Sequence, residues 1–109
     1  MNADELFDDI AEKLALRGAT AGAMFGKRAL MANGKAFACL KDDDLAFRLG
    51  AETSAHSAAL SLAGATLFDP SGKKRPFKDW VAVPVDHEDQ WLRLADIAFD
   101  ALFTTRGPN

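Results

Sequence analysis

The feature that most constrains the fold is an Asn-Gly pair, Asn33-Gly34, that lies between two short apolar runs. A two-residue type I′ turn needs a positive φ at both of its central residues, and Asn followed by Gly meets that need well. The pair is therefore the strongest short-range hairpin signal that a sequence carries. It predicts two antiparallel strands, over residues 28–32 and 35–41, joined at this turn.

A third strand is predicted over residues 45–49, after the three consecutive aspartates at 42–44. Leu45, Phe47 and Leu49 alternate with Ala and Arg there, which is the period-two pattern of a half-buried strand. Together with the hairpin, this pattern predicts a three-stranded antiparallel meander.

Three helices and two further strands are predicted around this meander. Apolar residues recur at helical spacing over residues 3–17, 54–63 and 87–103, and strand-like runs cover 65–68 and 78–83. The order is helix, three strands, helix, two strands, helix. It predicts a two-layer α+β domain, in which the helices cover one face of a five-stranded antiparallel sheet.

The helix ends carry recognisable signals. Asn2 is expected to cap the first helix, Gly18 to end it, and Asp86 to cap the last helix. The apolar face of the last helix is wider than half of its circumference, which fits either a deeply seated helix or a helix that also meets another chain. We favour the deeply seated helix. Residues 106–109 are expected to form a frayed tail.

Length, charge and cysteine content narrow the class of protein. A chain of 109 residues has the size of one domain, which we expect to span residues 1–109 with a core between about residues 3 and 103. The net charge of −3 disfavours a dedicated nucleic-acid coat. One cysteine cannot form an intramolecular disulfide, and neither a signal peptide nor a membrane span is evident. We expect a cytoplasmic protein without membrane contact.

Four short segments are distinctive in combination: Met24-Phe25-Gly26, Asn33-Gly34-Lys35 followed by Phe37-Ala38, the alternating strand at 45–49, and the segment from Arg75 to Val81. Together they resemble the TfoX/Sxy N-terminal domain family. That family typically shows Met-Phe-Gly-Gly, then Asp/Asn-Gly-Lys/Asn, and later Gly-Arg/Lys-Pro-Met before an aromatic-rich strand. Lys27 stands where the family commonly has its second glycine. The resemblance covers roughly residues 20–103.

The resemblance implies a helix-plus-five-strand fold of the secretion-chaperone-like type, in agreement with the order of elements above. The family's namesake members regulate DNA-uptake competence in bacteria and are thought to assist a transcription activator at its promoters. The namesake members carry a second, helical C-terminal domain, for which this sequence has no room. We therefore expect a stand-alone N-terminal domain. We expect a non-enzymatic interaction module with an unknown protein partner, and the analogy with dimeric secretion chaperones implies a homodimer.

Met24, Phe25 and Gly26 form the first candidate binding segment, which lies before the first predicted strand. As a recognition loop, it would use Gly26 for close approach of the backbone to a partner. The alternative, which we favour, is that Gly26 supplies an unusual φ and that Phe25 anchors the core.

The second candidate segment is a basic cluster with aromatic neighbours, formed by Lys73, Lys74, Arg75 and Lys78. Cations interleaved with aromatic rings can hold a phosphate backbone or stack a base. The alternative is a solvated loop that keeps an edge strand from pairing with other chains, and the acidic total favours it. Trp80 is expected in or near the core, with ligand stacking as the minor interpretation.

No catalytic, cofactor or metal site is predicted. Neither His56 nor His87 has a second His or Cys at ligand spacing, and residues 42–44 lack the spaced oxygens of a calcium loop. Cys39 is expected to be a small buried thiol. Direct nucleic-acid contact through residues 73–78 is the second functional hypothesis, and a small enzyme or ligand-binding domain with a pocket between sheet and helices is the third.

Overall fold

The structure is a computed structural model that describes residues 2–103. The elements are α1 (Ala3–Ala15), β1 (Thr20–Met24), β2 (Lys27–Ala32), β3 (Lys35–Lys41), β4 (Asp44–Arg48), α2 (Ser54–Leu60), β5 (Thr66–Phe68), β6 (Phe77–Pro84), a 3-10 turn at Val85–His87, and α3 (Glu88–Ala101). The chain is therefore α+β, as predicted, but the described part of its sheet has six strands rather than five. The predicted tail at 106–109 lies outside the described residues.

All six strands belong to one antiparallel sheet, in the order β1-β2-β3-β4-β6-β5. Strands β1 to β4 follow each other as a meander, so the predicted three-stranded meander is confirmed and gains one strand. Asn33 and Gly34 join β2 to β3 with φ angles of 53° and 75°, as the type I′ prediction requires.

The strand that the sequence interpretation missed is β1. Thr20–Met24 pairs with β2 along its whole length, and the first four of its residues are exposed. The placement of Met24, Phe25 and Gly26 before the first strand was therefore wrong. Met24 ends β1, and Phe25 and Gly26 are the two-residue turn that leads into β2.

The predicted cap of α1 is confirmed. The Asn2 side chain accepts a hydrogen bond from the Glu5 backbone N–H at 2.9 Å, and Glu5 Oε1 accepts one from the Asn2 backbone N–H at 3.0 Å. The predicted cap of α3 is wrong. Because a 3-10 turn precedes α3, His87 rather than Asp86 occupies the N-cap position, and its ring donates a hydrogen bond to the Ala63 carbonyl instead.

Each face of the sheet has a core of its own. The first face carries large side chains such as Phe47, and residues of all three helices pack against it in one continuous cluster. The second face carries a smaller cluster, which no helix residue joins within the described part of the chain. Its buried members are Cys39, Ala46, Phe68, Trp80 and Ala82.

Helix α3 is deeply seated, in agreement with the favoured interpretation. Trp91 is completely buried at the centre of its inward face, and its indole N–H donates a hydrogen bond to the Val83 carbonyl at 3.2 Å. At the other end of the helix, Arg17 pairs with Asp96 at 2.9 Å and lies over the Phe99 ring. Within residues 2–103, none of the helices has the length and apolar character that crossing a membrane requires.

Candidate binding surface on the second face of the sheet

The two candidate segments, which are far apart in the sequence, meet on the second face of the sheet. The ring of Phe25, in the turn between β1 and β2, lies 5.7 Å from the ring of Phe77 at the start of β6. Phe77 lies 6.2 Å from Phe68, and Phe68 lies 5.7 Å from Trp80. These four side chains form a continuous line of rings, which we call the aromatic row.

The aromatic row runs from an exposed end to a buried end. Phe25 is 61% exposed, Phe77 is half-buried, and Trp80 is only 6% exposed. Small side chains such as Ala46 and Ala82 lie beneath the buried end, where they leave room for the rings close to the sheet. Trp80 is thus in the core, as predicted, whereas the expectation that Phe25 anchors the core is wrong.

Phe25 has an unfavourable backbone conformation. Its φ is 54°, and Gly26 beside it has a φ of 74°, so both central residues of the turn are left-handed. Gly26 thus has the unusual φ that was expected. A bulky side chain is rare in this conformation, which costs an L-residue roughly 1–2 kcal/mol. The chain bears this cost at the position where its most exposed phenylalanine lies.

The predicted basic cluster lies in the loop between β5 and β6 and at the start of β6, where Lys78 is the second residue. Lys73, Lys74, Arg75 and Lys78 are all exposed, and none of them forms an ion pair with another residue in the range 2–103. The loop leads directly into Phe77, at the exposed half of the aromatic row. We call Phe25, Phe77 and these four cations the aromatic–basic surface.

Asp69 holds this loop in shape. Its carboxylate accepts hydrogen bonds from the Gly72 N–H at 3.0 Å, from the Lys74 N–H at 2.8 Å and from the Ser71 hydroxyl at 3.2 Å. Its own carbonyl accepts a hydrogen bond from Lys41 Nζ at 3.0 Å. Desolvation alone would raise the pKa of Asp69, but the hydrogen bonds together lower it below its usual value.

The role of Asp69 limits the way in which this loop can hold an anion. Backbone N–H groups that converge in a loop can form a cradle for a phosphate. Here the Gly72 and Lys74 N–H groups already bind a carboxylate of the same chain. The loop therefore offers its side-chain cations to a partner, and not a backbone cradle.

Charge is segregated between the two faces of the protein. Helices α1 and α3, which cover the first face, contain nine carboxylates, five in α1 and four in α3. They carry two cations of their own, Lys13 and Arg93, and Arg17 and Arg28 from outside the helices pair with four of the carboxylates, so an excess of negative charge remains. The exposed cations of residues 73–78 lie in the loop that leads to Phe77 on the second face and, in the case of Lys78, at the start of β6. The net charge of −3 therefore conceals a basic surface on an acidic body.

The two histidines have structural hydrogen bonds and are not part of the aromatic–basic surface. The buried His56 donates a hydrogen bond from Nε2 to the Lys78 carbonyl at 2.8 Å and so ties α2 to β6. His87 is bound to the Ala63 carbonyl. Among residues 2–103, no three His, Cys, Asp or Glu side chains are grouped so that they could hold a metal ion.

A cleft of about 320 Å³ lies beside the start of α2 and contains none of the predicted site residues. Arg48, Glu52 and Asp79 supply its charged groups. The Asp79 carboxylate is already engaged, since it accepts a hydrogen bond from the Ala51 N–H at 2.9 Å. We assign no chemistry to this cleft.

Cys39 is a buried thiol, as predicted, and is expected to resist modification. It is fully buried on the second face, where desolvation raises the pKa of the thiol from 9.0 to about 11 despite a nearby cation, Lys27. We expect Ellman's reagent to react with the folded protein at neutral pH at least tenfold more slowly than with the protein unfolded in urea. Labelling at equal rates would contradict the burial of Cys39.

The same pKa shift predicts how stability depends on pH. The thiol loses its proton at lower pH in the unfolded chain than in the folded protein, so this group adds stability below pH 9 that is lost as the pH rises towards about 11. A Cys39→Ala variant is the control, because it lacks this contribution to the alkaline decline.

Comparison with known proteins gives one match. The family model of the TfoX N-terminal domain matches residues 13–102. No curated protein and no solved structure matches the chain. The matched range includes the whole aromatic row and the basic cluster, together with all six strands.

Proposed function

The chain belongs to the TfoX N-terminal domain family, and on that premise we propose that it is a non-enzymatic interaction module that binds a protein partner through the aromatic–basic surface. One observation carries the proposal. The exposed ring of Phe25 is held on left-handed backbone, beside Phe77 and the exposed cations of residues 73–78.

The conformation of Phe25 is the first argument. The other type I′ turn of this chain has Asn at the equivalent position, the residue that tolerates a positive φ best after glycine. Phenylalanine at that position costs stability, and its ring packs against Phe77 without becoming buried. Strained positions of this kind are concentrated at functional sites. An exposed aromatic ring is the type of residue that anchors protein interfaces.

Charge indicates the kind of partner. The cations of residues 73–78 have no counterions among the described residues, so a partner that places carboxylates around an apolar side chain would complement them. We propose a partner with an acidic surface around an exposed apolar group. The resemblance to regulators of DNA-uptake competence suggests a component of the transcription machinery.

Direct nucleic-acid contact is the second candidate function, and the cations next to Phe77 favour it. Proteins that bind single strands usually stack several bases on exposed rings. Here one ring is exposed, one is half-buried, and Phe68 and Trp80 are buried. The loop N–H groups that could bind phosphate are occupied by Asp69. For these reasons we rank a protein partner first.

Charge reversal in the basic loop tests both functions. We expect the variant Lys73→Glu/Arg75→Glu to retain at least tenfold less of the partner than the wild type when both are used to capture proteins from nuclease-treated host lysate at moderate salt. The matched control is Lys13→Glu/Arg93→Glu, which changes one Lys and one Arg on the helices and should capture normally.

The outcomes separate the two functions. A captured protein that survives nuclease treatment and is lost only with the loop variant supports the proposed function. Binding that disappears with nuclease and weakens steeply with salt would establish nucleic-acid contact instead. Capture that is equal for the wild type and both variants would contradict both.

A further inference from the structure

The free edge of β1 is an open pairing surface. β1 lies at one end of the sheet, and β2 is its only partner among the described strands. Natural proteins usually protect such an edge with a charge, a proline, a bulge or a very short strand. Thr20–Met24 has no charge and no proline, and it pairs with β2 without a register shift. The opposite edge strand, β5, has only three residues.

The register identifies the backbone groups that point away from the sheet. Met24 and Lys27 close the two-residue turn and are therefore a hydrogen-bonded pair. Hydrogen-bonded and non-hydrogen-bonded pairs alternate along an antiparallel ladder. Gly22 therefore bonds to β2, whereas Ala21 and Ala23 direct their N–H and C=O groups to the free edge.

We propose that a second copy of this chain docks on this edge, antiparallel to β1, with the two-fold axis at Gly22. In this register Ala21 of each copy pairs with Ala23 of the other. Four backbone hydrogen bonds then form, and they use all of the outward N–H and C=O groups of the two residues. Gly22 meets its own counterpart as a non-hydrogen-bonded pair, in which the Cα atoms approach most closely, to about 4.5 Å.

The absence of charge along β1 makes this edge the place where a second copy can dock. Each copy carries a net charge of −3, so two copies repel each other over most of their surfaces. No charged residue lies between Gly18 and Gly26, and the two copies would therefore meet along their neutral segments. The segment is also complementary to itself, since its outward groups are arranged symmetrically about Gly22.

Exposed apolar groups on the first face support the same arrangement. Ala19 belongs to the first-face core, and Ala21 and Ala23 share its face because side chains alternate along a strand, yet both are exposed. Leu16, at the end of α1, is 89% exposed. A two-fold axis perpendicular to the sheet keeps both α1 helices, and with them these exposed apolar groups of the two copies, on the same side of the joined sheet.

The interface is small, which determines the conditions of the test. β1 contributes five residues per copy, whereas a stable interface of standard size uses roughly 20–30 residues on each side. We therefore expect a reversible dimer that forms as the protein concentration rises from micromolar to millimolar.

Amide hydrogen exchange followed by NMR tests the register directly in the unaltered protein. We expect the N–H groups of Ala21 and Ala23 to exchange rapidly in dilute protein and at least tenfold more slowly at millimolar concentration. The Gly22 N–H is bonded to β2 in either state and serves as the internal control. Rapid exchange of Ala21 and Ala23 at every concentration would overturn the proposal.

A proline substitution provides an independent test. The Ala23 N–H points outward, so Ala23→Pro removes no hydrogen bond within the chain and is tolerable on an edge strand. We expect this variant to remain monomeric by analytical ultracentrifugation at concentrations where the wild type and the control Ala23→Ser form dimers. A dimer of the folded proline variant as strong as that of the wild type would contradict docking at this edge.

The inference does not depend on the proposed function. Ala23→Pro leaves the Phe25 ring and the basic loop in place, so its effect on dimerisation is separate from partner capture. Conversely, charge reversal at Lys73 and Arg75 leaves the outward groups of β1 unchanged. Failure of one proposal is therefore distinguishable from failure of the other.

Discussion

Replacement of Trp91 by alanine is expected to lower the free energy of unfolding by about 3–5 kcal/mol. The indole is completely buried between α3 and the first face of the sheet, so its removal leaves a large cavity. It also removes the hydrogen bond that the Trp91 indole N–H donates to the Val83 carbonyl oxygen at 3.2 Å. Urea denaturation followed by circular dichroism measures the loss.

Trp91→Phe is the matched control for this substitution. It keeps an aromatic ring in the site and removes the indole N–H, so we expect a loss of about 1–3 kcal/mol, intermediate between the wild type and the alanine variant. A loss smaller than about 1 kcal/mol in Trp91→Ala would be typical of a surface position. It would show that the wide apolar face of α3 is not seated on the sheet, and would favour the alternative that this face meets another chain.

Replacement of Phe25 by asparagine is expected to reduce partner capture at least tenfold. The substitution removes the exposed ring at the end of the aromatic row, and loss of an interface anchor typically costs about 2 kcal/mol or more of binding free energy. Asparagine is chosen because Asn33-Gly34 forms the same kind of turn in this chain. Capture from nuclease-treated lysate by equal amounts of folded protein measures the effect.

Phe103→Asn is the control for this experiment. Phe103 is 54% exposed and lies just after α3, where its ring contacts Phe99 and not the aromatic row. The same chemical change at that position should leave capture unaltered. Equal losses in both variants would indicate that the partner responds to exposed hydrophobicity in general, and equal retention would show that the Phe25 ring makes no contact with the partner.

Much of the fold could be predicted because its strands and turns carry local signals. Asn33-Gly34 fixed one hairpin, and the alternation at residues 45–49 identified β4 correctly to within a residue at each end. β1 could not be found in this way, since Thr20–Met24 consists mostly of small exposed residues and has no apolar period. Its turn also lacks the usual residues, because Phe25 occupies a position where Asn or Gly is typical.

The candidate site could be predicted in its parts but not in its arrangement. Both segments were identified as candidates, but contact between Phe25 and Phe77 depends on how the sheet brings distant strands together, which no local pattern encodes. The role of Asp69 could not be predicted from the sequence either. Asp-Pro-Ser-Gly indicates a turn, but the hydrogen bonds of the carboxylate to Gly72 and Lys74 depend on the path of the whole loop.

The most direct test of the central claim is the free energy of unfolding of Phe25→Asn compared with that of the wild type. If the Phe25 ring is retained for binding, relief of its left-handed strain offsets the lost contact with Phe77, and the variant is at least as stable as the wild type. A loss of more than about 1 kcal/mol would contradict the claim, since it would show that the contact of this ring with Phe77 mainly stabilises the fold.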